Sequence, residues 1–172
     1  MYFKMIDLGN NIKKIELKDI KDIFKERRRD TNKGDYGTVG IMGGSLEYSG
    51  AIKLANMSAV AVRSGCGIVR VIVPKDIAIV IAPYLLEQTL YPLDYNSKNH
   101  MAMSDKEIEK ATHKLNALAI GMGWGQDQEY INILKKLINT FSYPIVIDAD
   151  GLNTLAKMDL NILKNAKNKI IL

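Results

Sequence analysis

Three short stretches of this 172-residue chain hold the residue types that could do chemistry. Lys33–Ala51 reads KGDYGTVGIMGGSLEYSGA, with glycines crowded ahead of a helix-like segment. Gly121-Met122-Gly123-Trp124-Gly125 carries glycine at alternate positions, and Asp148-Ala149-Asp150-Gly151 sets two acids around an alanine. Glycines let the backbone take positive φ and approach a ligand with no Cβ in the way. A helix N-terminus adds free N–H groups and partial positive charge, so Gly43-Gly44-Ser45 leading to Gly50-Ala51 could hold a phosphate or a carboxylate. The helix dipole contributes only about 0.3–2 kcal/mol, enough to orient an anion and not to bind it alone. The stretch matches neither the Walker A spacing nor GxGxxG, so a plain strand-to-helix connection is an equal reading of it. Gly121–Gly125 reads as close backbone approach to a substrate, or as a tight turn with Trp124 covering the sheet edge. Asp148 and Asp150 could hold Mg²⁺ or a hydroxyl group. Asp150 is also explained as the N-cap of the helix that follows, as Asp127 is for its own helix.

Other chemistries find no support in the residues. No Ser/His/Asp or Cys/His grouping is present, and His100 and His113 stand in polar, surface-type segments. The single cysteine, Cys66, excludes an internal disulfide, and with two scattered histidines there is no zinc signature. In Ser64-Gly65-Cys66-Gly67 it reads as a small packing residue ahead of a strand. The formal charge of +5 is mild. The run Lys25-Glu26-Arg27-Arg28-Arg29-Asp30 is short, interrupted by acids and free of interleaved aromatics, so it reads as a solvated helix end and not a nucleic-acid surface. No apolar run approaches the roughly 18 residues of a membrane span, and no signal-peptide core is seen near the N-terminus. The expectation is a protein of the reducing cytoplasm, with neither nucleic acid nor membrane as a partner.

The elements that must position these stretches alternate. Lys18 to about Arg29 reads as a charged helix with Ile20, Ile23 and Phe24 on one face, part of a helical lead-in over residues 1–32. Thr38–Met42 is a short strand bounded by glycines. From Gly50 to Arg63, Ala51, Leu54, Ala55, Ser58 and Val62 recur at helical spacing and predict a close-packing helix. Ile68–Val73 is a buried-type strand closed by Pro74. Ala117–Ile120 is a strand running into the Gly121 loop, and Tyr130, Leu134, Leu137, Ile138 and Phe141 mark an amphipathic helix. Ile145–Ile147 is a strand ending in Asp148, a short helix follows, and Ile170-Ile171-Leu172 begins another strand. Strands apolar on both faces and alternating with helices predict an α/β fold: three layers, with a mostly parallel sheet between helices. Right-handed crossovers then bring all three unusual turns to the carboxyl edge of the sheet, where ligands of such folds bind. No composition shift or linker divides the chain, so one domain over 1–172 is expected.

Beside this reading stands a resemblance. Lys33-Gly34-Asp35-Tyr36-Gly37 followed by Gly43-Gly44-Ser45-Leu46-Glu47-Tyr48-Ser49-Gly50-Ala51 resembles the opening motif of the NAD(P)H-hydrate dehydratases. Arg63-Ser64-Gly65-Cys66-Gly67-Ile68-Val69 looks like that family's next segment, with Cys66 in place of a usual alanine. Gly121–Gly125 looks like its Gly-Pro-Gly-Leu-Gly loop, with Met122 where the family has proline. Ile147-Asp148-Ala149-Asp150-Gly151-Leu152-Asn153 matches its Ile-Asp-Ala-Asp-Gly-Leu-Asn. The resemblance implies a ribokinase-like fold and ADP- or ATP-dependent repair of hydrated NADH and NADPH, with Mg²⁺. Phosphate would pass to the hydroxyl on the damaged nicotinamide ring and then leave, restoring the double bond. It implies that Ala51 and Gly123 contact the hydrated dinucleotide, with Tyr48, Gly50, Asp148 and Asn153 lining the same cleft. The family's later Thr-Pro-His-Pro-Gly-Glu and Gly-Ser-Gly-Asp segments, which carry the anion hole, the adenine-nucleotide site and the catalytic aspartate, have no counterpart here. The expectation is therefore a substrate-side half with no catalytic base of its own, working in a homo-oligomer or completed by a second chain. An isolated half would expose apolar sheet. Two alternatives are a small-molecule kinase of the same fold, acting on a vitamin precursor or sugar, and a non-catalytic nucleotide-binding fragment.

Overall fold

Thr38–Met42, β-branched and apolar between glycines, forms β1, the centre from which the sheet grows in both directions. The computed structural model describes residues 16–21, 27–58, 65–95, 101 and 103–172, and falls into two compact units, Met1–Thr31 and Asn32–Leu172. In the first unit the described helix, α1, spans Leu17–Lys21. Arg27–Asp30 is exposed and not helical, so the helix expected as far as Arg29 ends earlier; Ile23 and Phe24 lie outside the described residues. The Arg28 guanidinium hydrogen-bonds the Asp30 carboxylate and holds it below the usual carboxylate range.

In the second unit, β1 is followed by α2 (Ser49–Ser58), β2 (Ile68–Pro74), α3 (Lys75–Ile81) and β3 (Thr89–Leu93). Then come α4 (Asp105–Thr112), β4 (Ala117–Ile120), α5 (Gln128–Thr140), β5 (Ile145–Ile147), α6 (Asp150–Leu155), α7 (Asn161–Lys164) and β6 (Ile170–Ile171). The six strands form one sheet in the order β3-β2-β1-β4-β5-β6, and every pairing is parallel. This is the doubly wound arrangement that the strand and helix alternation predicts. β3, α3 and α4 go beyond the sequence reading: Thr-Leu-Tyr-Pro-Leu carries a proline, which argues against a ladder position. Pro92 is tolerated because β3 lies at the edge of the sheet.

Alternation along the strands divides the core in two. Met42, Ile72, Ile120, Ile145 and Ile147 face α4, α5 and α6, whose Ile108, Leu134, Leu137, Ile138 and Leu155 are buried against them. Ile41, Val69, Val71 and Val73 face α2 and α3, meeting Ile52, Ile77 and Ile81. Cys66 packs half-buried against this second cluster, as its small size suggests. On the same face β5 and β6 are less well covered: Val146 is 39% and Ile171 43% exposed.

The buried stripe of α2 differs from the expected one. Leu54 points outward at 70% exposure, while Ile52 and Asn56, four apart and so on one face, are fully buried. The helix is described to Ser58, so Val62 lies outside the described residues. The spacing of leucine and alanine alone sets Leu54 on the core side. Packing chose the stripe through Ile52, whose methyl group lies against the place where Gly44 lacks a Cβ.

Asn56 has neither its Oδ1 nor its Nδ2 hydrogen-bonded among the described residues. An unpaired buried amide costs about 1–3 kcal/mol. Replacing it by the similarly shaped leucine (Asn56→Leu) is expected to stabilise the protein by about 1 kcal/mol, read as a higher melting temperature or denaturation midpoint. A lower midpoint would show that the amide has a partner.

Candidate functional site

The order of the strands reverses at β1: the chain runs outward to β2 and β3, returns, and continues through β4 on the other side. In open parallel sheets such a reversal leaves a crevice at the carboxyl ends of the two strands flanking it. Here those ends are Met42, leading into Gly43-Gly44-Ser45, and Ile120, leading into Gly121–Gly125. The next strand over, β5, ends at Ile147 and delivers Asp148–Gly151 beside them. All three unusual turns meet at one edge.

The three turns bind each other directly. The Gly44 N–H donates to the Met122 carbonyl at 2.8 Å, and the Gly43 N–H donates to the Ile72 carbonyl at 3.1 Å. Ser45 is buried, and its Oγ accepts from the Tyr48 N–H at 3.3 Å. These bonds correct the expectation that the Gly43-Gly44 amides hold an anion: both are engaged with the protein's own backbone, while the Ser45 hydroxyl accepts from Tyr48. The first turn of α2, around Gly50, is more open. A Cβ on Gly50 would meet nothing within 4 Å, so this glycine faces open space.

Gly121 and Gly123 show why the second loop needs glycine. Gly121 has φ +106°, and a Cβ there would sit 2.2 Å from the Asp148 carbonyl oxygen and 2.5 Å from the Gly151 nitrogen. Gly123 has φ +66°, and its Cβ would sit 2.7 Å from the Tyr48 carbonyl oxygen and 2.8 Å from the Ala51 Cβ. The loop therefore lies backbone-to-backbone against the Asp148 turn on one side and against the entry to α2 on the other. Trp124 does not cover the sheet edge: it is fully buried, its ring stacked on Tyr130 with centroids 4.6 Å apart and planes 2° from parallel. Burial raises the Tyr130 hydroxyl well above its ordinary pKa, and that hydroxyl accepts from the Met101 N–H.

The third turn corrects another expectation. Asp150 is not the N-cap of α6; that position is Ala149, which makes no side-chain cap. Ala149 has φ 48° and ψ −120°, and the Gly151 N–H donates to the Asp148 carbonyl at 2.8 Å. This is the geometry of the first central residue of a type II′ turn, a position dominated by glycine. An alanine held there costs on the order of 1–3 kcal/mol, and such strain gathers at functional sites. Asp150 instead turns its carboxylate to the neighbouring loop, accepting from the Gly125 N–H at 3.0 Å and from the Asn153 Nδ2 at 3.2 Å. The Asp127 N-cap is as expected, its carboxylate accepting from the Glu129 N–H.

The structure thus brings Tyr48, Ala51 and Gly123 into mutual contact, sets Gly50 beside them, and joins Asp148 and Asn153 through the Asp150 turn. The crosslink from Asp150 to Gly125 escapes sequence reading, because a spacing of 25 residues carries no local signal. Both Asp150 oxygens are engaged, and the described residues contain no group of three or more His, Cys, Asp and Glu close enough to hold a metal. Two surface hollows, of about 380 and 340 Å³, lie elsewhere: one beneath Asn116 and Tyr143 at the amino edge of the sheet, one between α5 and α7. No helix among the described residues is long and apolar enough to cross a membrane.

Residues 39–172, covering every turn of this crevice, match the family model described as NAD(P)H-hydrate dehydratase. The chain belongs to that family. An ATP-dependent (S)-NAD(P)H-hydrate dehydratase from Entamoeba histolytica is 33% identical over 159 residues, which are 88% of this chain and 49% of the relative. The enzyme of the same name from Aedes aegypti is 35% identical, over 87% of this chain and 43% of its own length. Among solved structures, the ADP/ATP-dependent NAD(P)H-hydrate dehydratase from Bacillus subtilis, co-crystallised with ATP and Mg²⁺, is 26% identical. It aligns with a TM-score of 0.60 over 78% of this chain and 45% of its own. A Streptococcus mutans structure shares the fold at TM-score 0.64 and 24% identity, as does a ribokinase-like protein from Enterococcus faecalis at TM-score 0.60 and 20% identity. The ribokinase-like α/β fold expected from the resemblance is the one found. The chain spans about half the length of the curated relatives it matches.

Two glycines of the family's crevice should respond oppositely to alanine. Gly121→Ala, with positive φ and no room, is expected to lose about 3 kcal/mol of stability or fail to fold. Gly50→Ala, in open space on a helix, is expected to be neutral or to gain up to about 0.5–1 kcal/mol. Chemical denaturation of both variants checks the pair.

Proposed function

We propose that this chain carries the substrate-side half of an enzyme that dehydrates hydrated NADH and NADPH in a reaction driven by ADP or ATP. The observation that carries the reading is the Ala51–Gly123 contact at the strand-order reversal, within a segment that belongs to the dehydratase family. In this reading the hydrated nicotinamide ring lies against the Gly123 backbone and the first turn of α2. Gly50 leaves the space open, and Tyr48, 53% exposed, offers a ring edge and a hydroxyl. Asp148, exposed at the end of β5, is placed to accept from a hydroxyl group of the ligand. Asn153 stands one turn along α6.

The reaction proposed is phosphoryl transfer followed by elimination. The ring hydroxyl loses its proton and attacks the terminal phosphorus, whose bond to the bridging oxygen breaks to release the shorter nucleotide. The carbon–oxygen bond then breaks as phosphate leaves, and loss of a proton from the adjacent carbon forms the double bond. None of the residues of this chain is assigned as the base for either proton. Magnesium would come on the nucleotide's phosphates, its usual manner of binding. Residues 1–172 are read as the amino-terminal part of a ribokinase-like domain with a helical lead-in over 1–32. The enzyme is placed in the reducing cytoplasm, as a homo-oligomer or with a second chain.

The full-length protein is expected to restore NADH absorbance from hydrated NADH only when ADP or ATP and Mg²⁺ are supplied. Restoration without nucleotide defeats the reading, and accumulation of a stable phosphorylated product instead identifies a kinase. Ala51→Phe is expected to weaken binding of hydrated NADH at least about tenfold, measured by calorimetry, with the domain still folded by circular dichroism. Unaltered affinity removes Ala51 from the site.

A further inference from the structure

Between α6 and the ligand-facing loop runs a continuous line of contacts. The Asp150 carboxylate takes the Gly125 N–H on Oδ2 and the Asn153 amide on Oδ1. Two residues before Gly125, the Gly123 backbone abuts Tyr48 and Ala51. Between them Trp124 is locked into the core by its stack on Tyr130. The Met122 carbonyl accepts from the Gly44 N–H, so the loop is tied to the entry of α2 at a second point. On the α2 side the loop is held by backbone contacts; on the α6 side Gly121 packs against the Asp148 turn, Lys157 donates to the Gln126 side chain, and the Asp150 carboxylate is what holds Gly125 itself. The turn that aims that carboxylate is built on a strained alanine, Ala149.

We infer that Asp150 and Asn153 are positioning residues: as an acceptor–donor pair they fix Gly125, and through it the place of Gly123 against Ala51. This rests on the reading of the crevice as the substrate site, and it reassigns Asn153 from contacting the ligand to orienting the aspartate that holds the loop. A carboxylate is suited to this because it only accepts, so both of its partners must donate, and they do. Bonds to an ionised acceptor are also about twice as strong as neutral ones. The substitution Asp150→Asn leaves a side chain that can satisfy only one partner. With its oxygen on the Gly125 N–H, the introduced NH₂ would face the NH₂ of Asn153. Exchanging the two residue types repairs the pairing. The introduced amide then accepts from the Gly125 N–H and donates to the carboxylate that Asn153→Asp supplies.

Trp124, the chain's single tryptophan, reports on this loop directly through its fluorescence. Four variants of the full chain are compared: Asp150→Ala, Asp150→Asn, Asn153→Asp, and the exchange Asp150→Asn with Asn153→Asp. The expected result is a red-shifted Trp124 emission in the first three and a wild-type emission maximum in the exchange. Calorimetric affinity for hydrated NADH should fall about tenfold in Asp150→Ala, the worth of one charge-assisted bond, and return in the exchange. Far-UV circular dichroism identifies any single variant that has unfolded; the exchange, folded by the same pairing, then decides. Wild-type emission in a folded Asp150→Ala, or an exchange no better than the single variants, overturns the inference. Emission that follows the pattern while the wild-type chain binds no hydrated NADH upholds the pairing and defeats the functional reading instead.

Discussion

The site depends on one steric condition, the absence of a side chain at Gly121. Its α-carbon lies against the Asp148 carbonyl and the Gly151 nitrogen, so the peptide leaving β4 touches the peptide leaving β5. Any Cβ would push the two turns apart, and the displacement would pass along the loop to Gly123. From Gly123 the contact continues to Tyr48 and Ala51 at the start of α2. A parallel sheet brings strand ends to one edge in any case. Only close backbone contact makes three separate loops behave as one surface.

Different forces hold the two flanks of that surface. Toward β1 it is backbone hydrogen bonding: Gly43 and Gly44 give their amides to Ile72 and Met122, so glycines that suggest an anion cradle serve as staples. Toward α6 it is a charged acceptor, set by an alanine in a conformation that glycine would adopt more easily. Beneath the loop, the Trp124–Tyr130 stack adds about 0.5–1.5 kcal/mol beyond the area it buries.

Much of this is legible in the sequence where the signal is local. β1, β4 and β5 appear as short apolar runs bounded by glycine or proline, and their structural limits match. The amphipathic stripe of α5 and the Asp127 cap are equally plain, being set by neighbours three and four residues away. What sequence reading loses is decided at long range. Helical spacing turns Leu54 inward, yet the stripe through Ile52 wins because Gly44 leaves a hollow for Ile52. Asp150 reads as a cap, the ordinary role of an acid before a helix, but its partner Gly125 comes from another strand's loop. β3 hides behind its proline, which disqualifies all but edge strands, and edge position is a property of the whole sheet. The three turns stand out in the sequence, whereas how they hold one another does not.

The central place of β1 also orders events in time. Its pairing with β2 closes a modest loop through α2, but its pairing with β4 must wait for a far longer excursion. The Asn116 side chain that accepts from the Thr38 N–H at the start of that pairing reaches across 78 residues of chain. Contacts of such separation form slowly, because loop-closure entropy is lost before any contact offsets it. The half of the crevice on the α2 side can therefore stand ready while the Gly121 loop is still unplaced. On loop-closure entropy alone, the contact that joins the Gly121 loop to the α2 side falls late in folding.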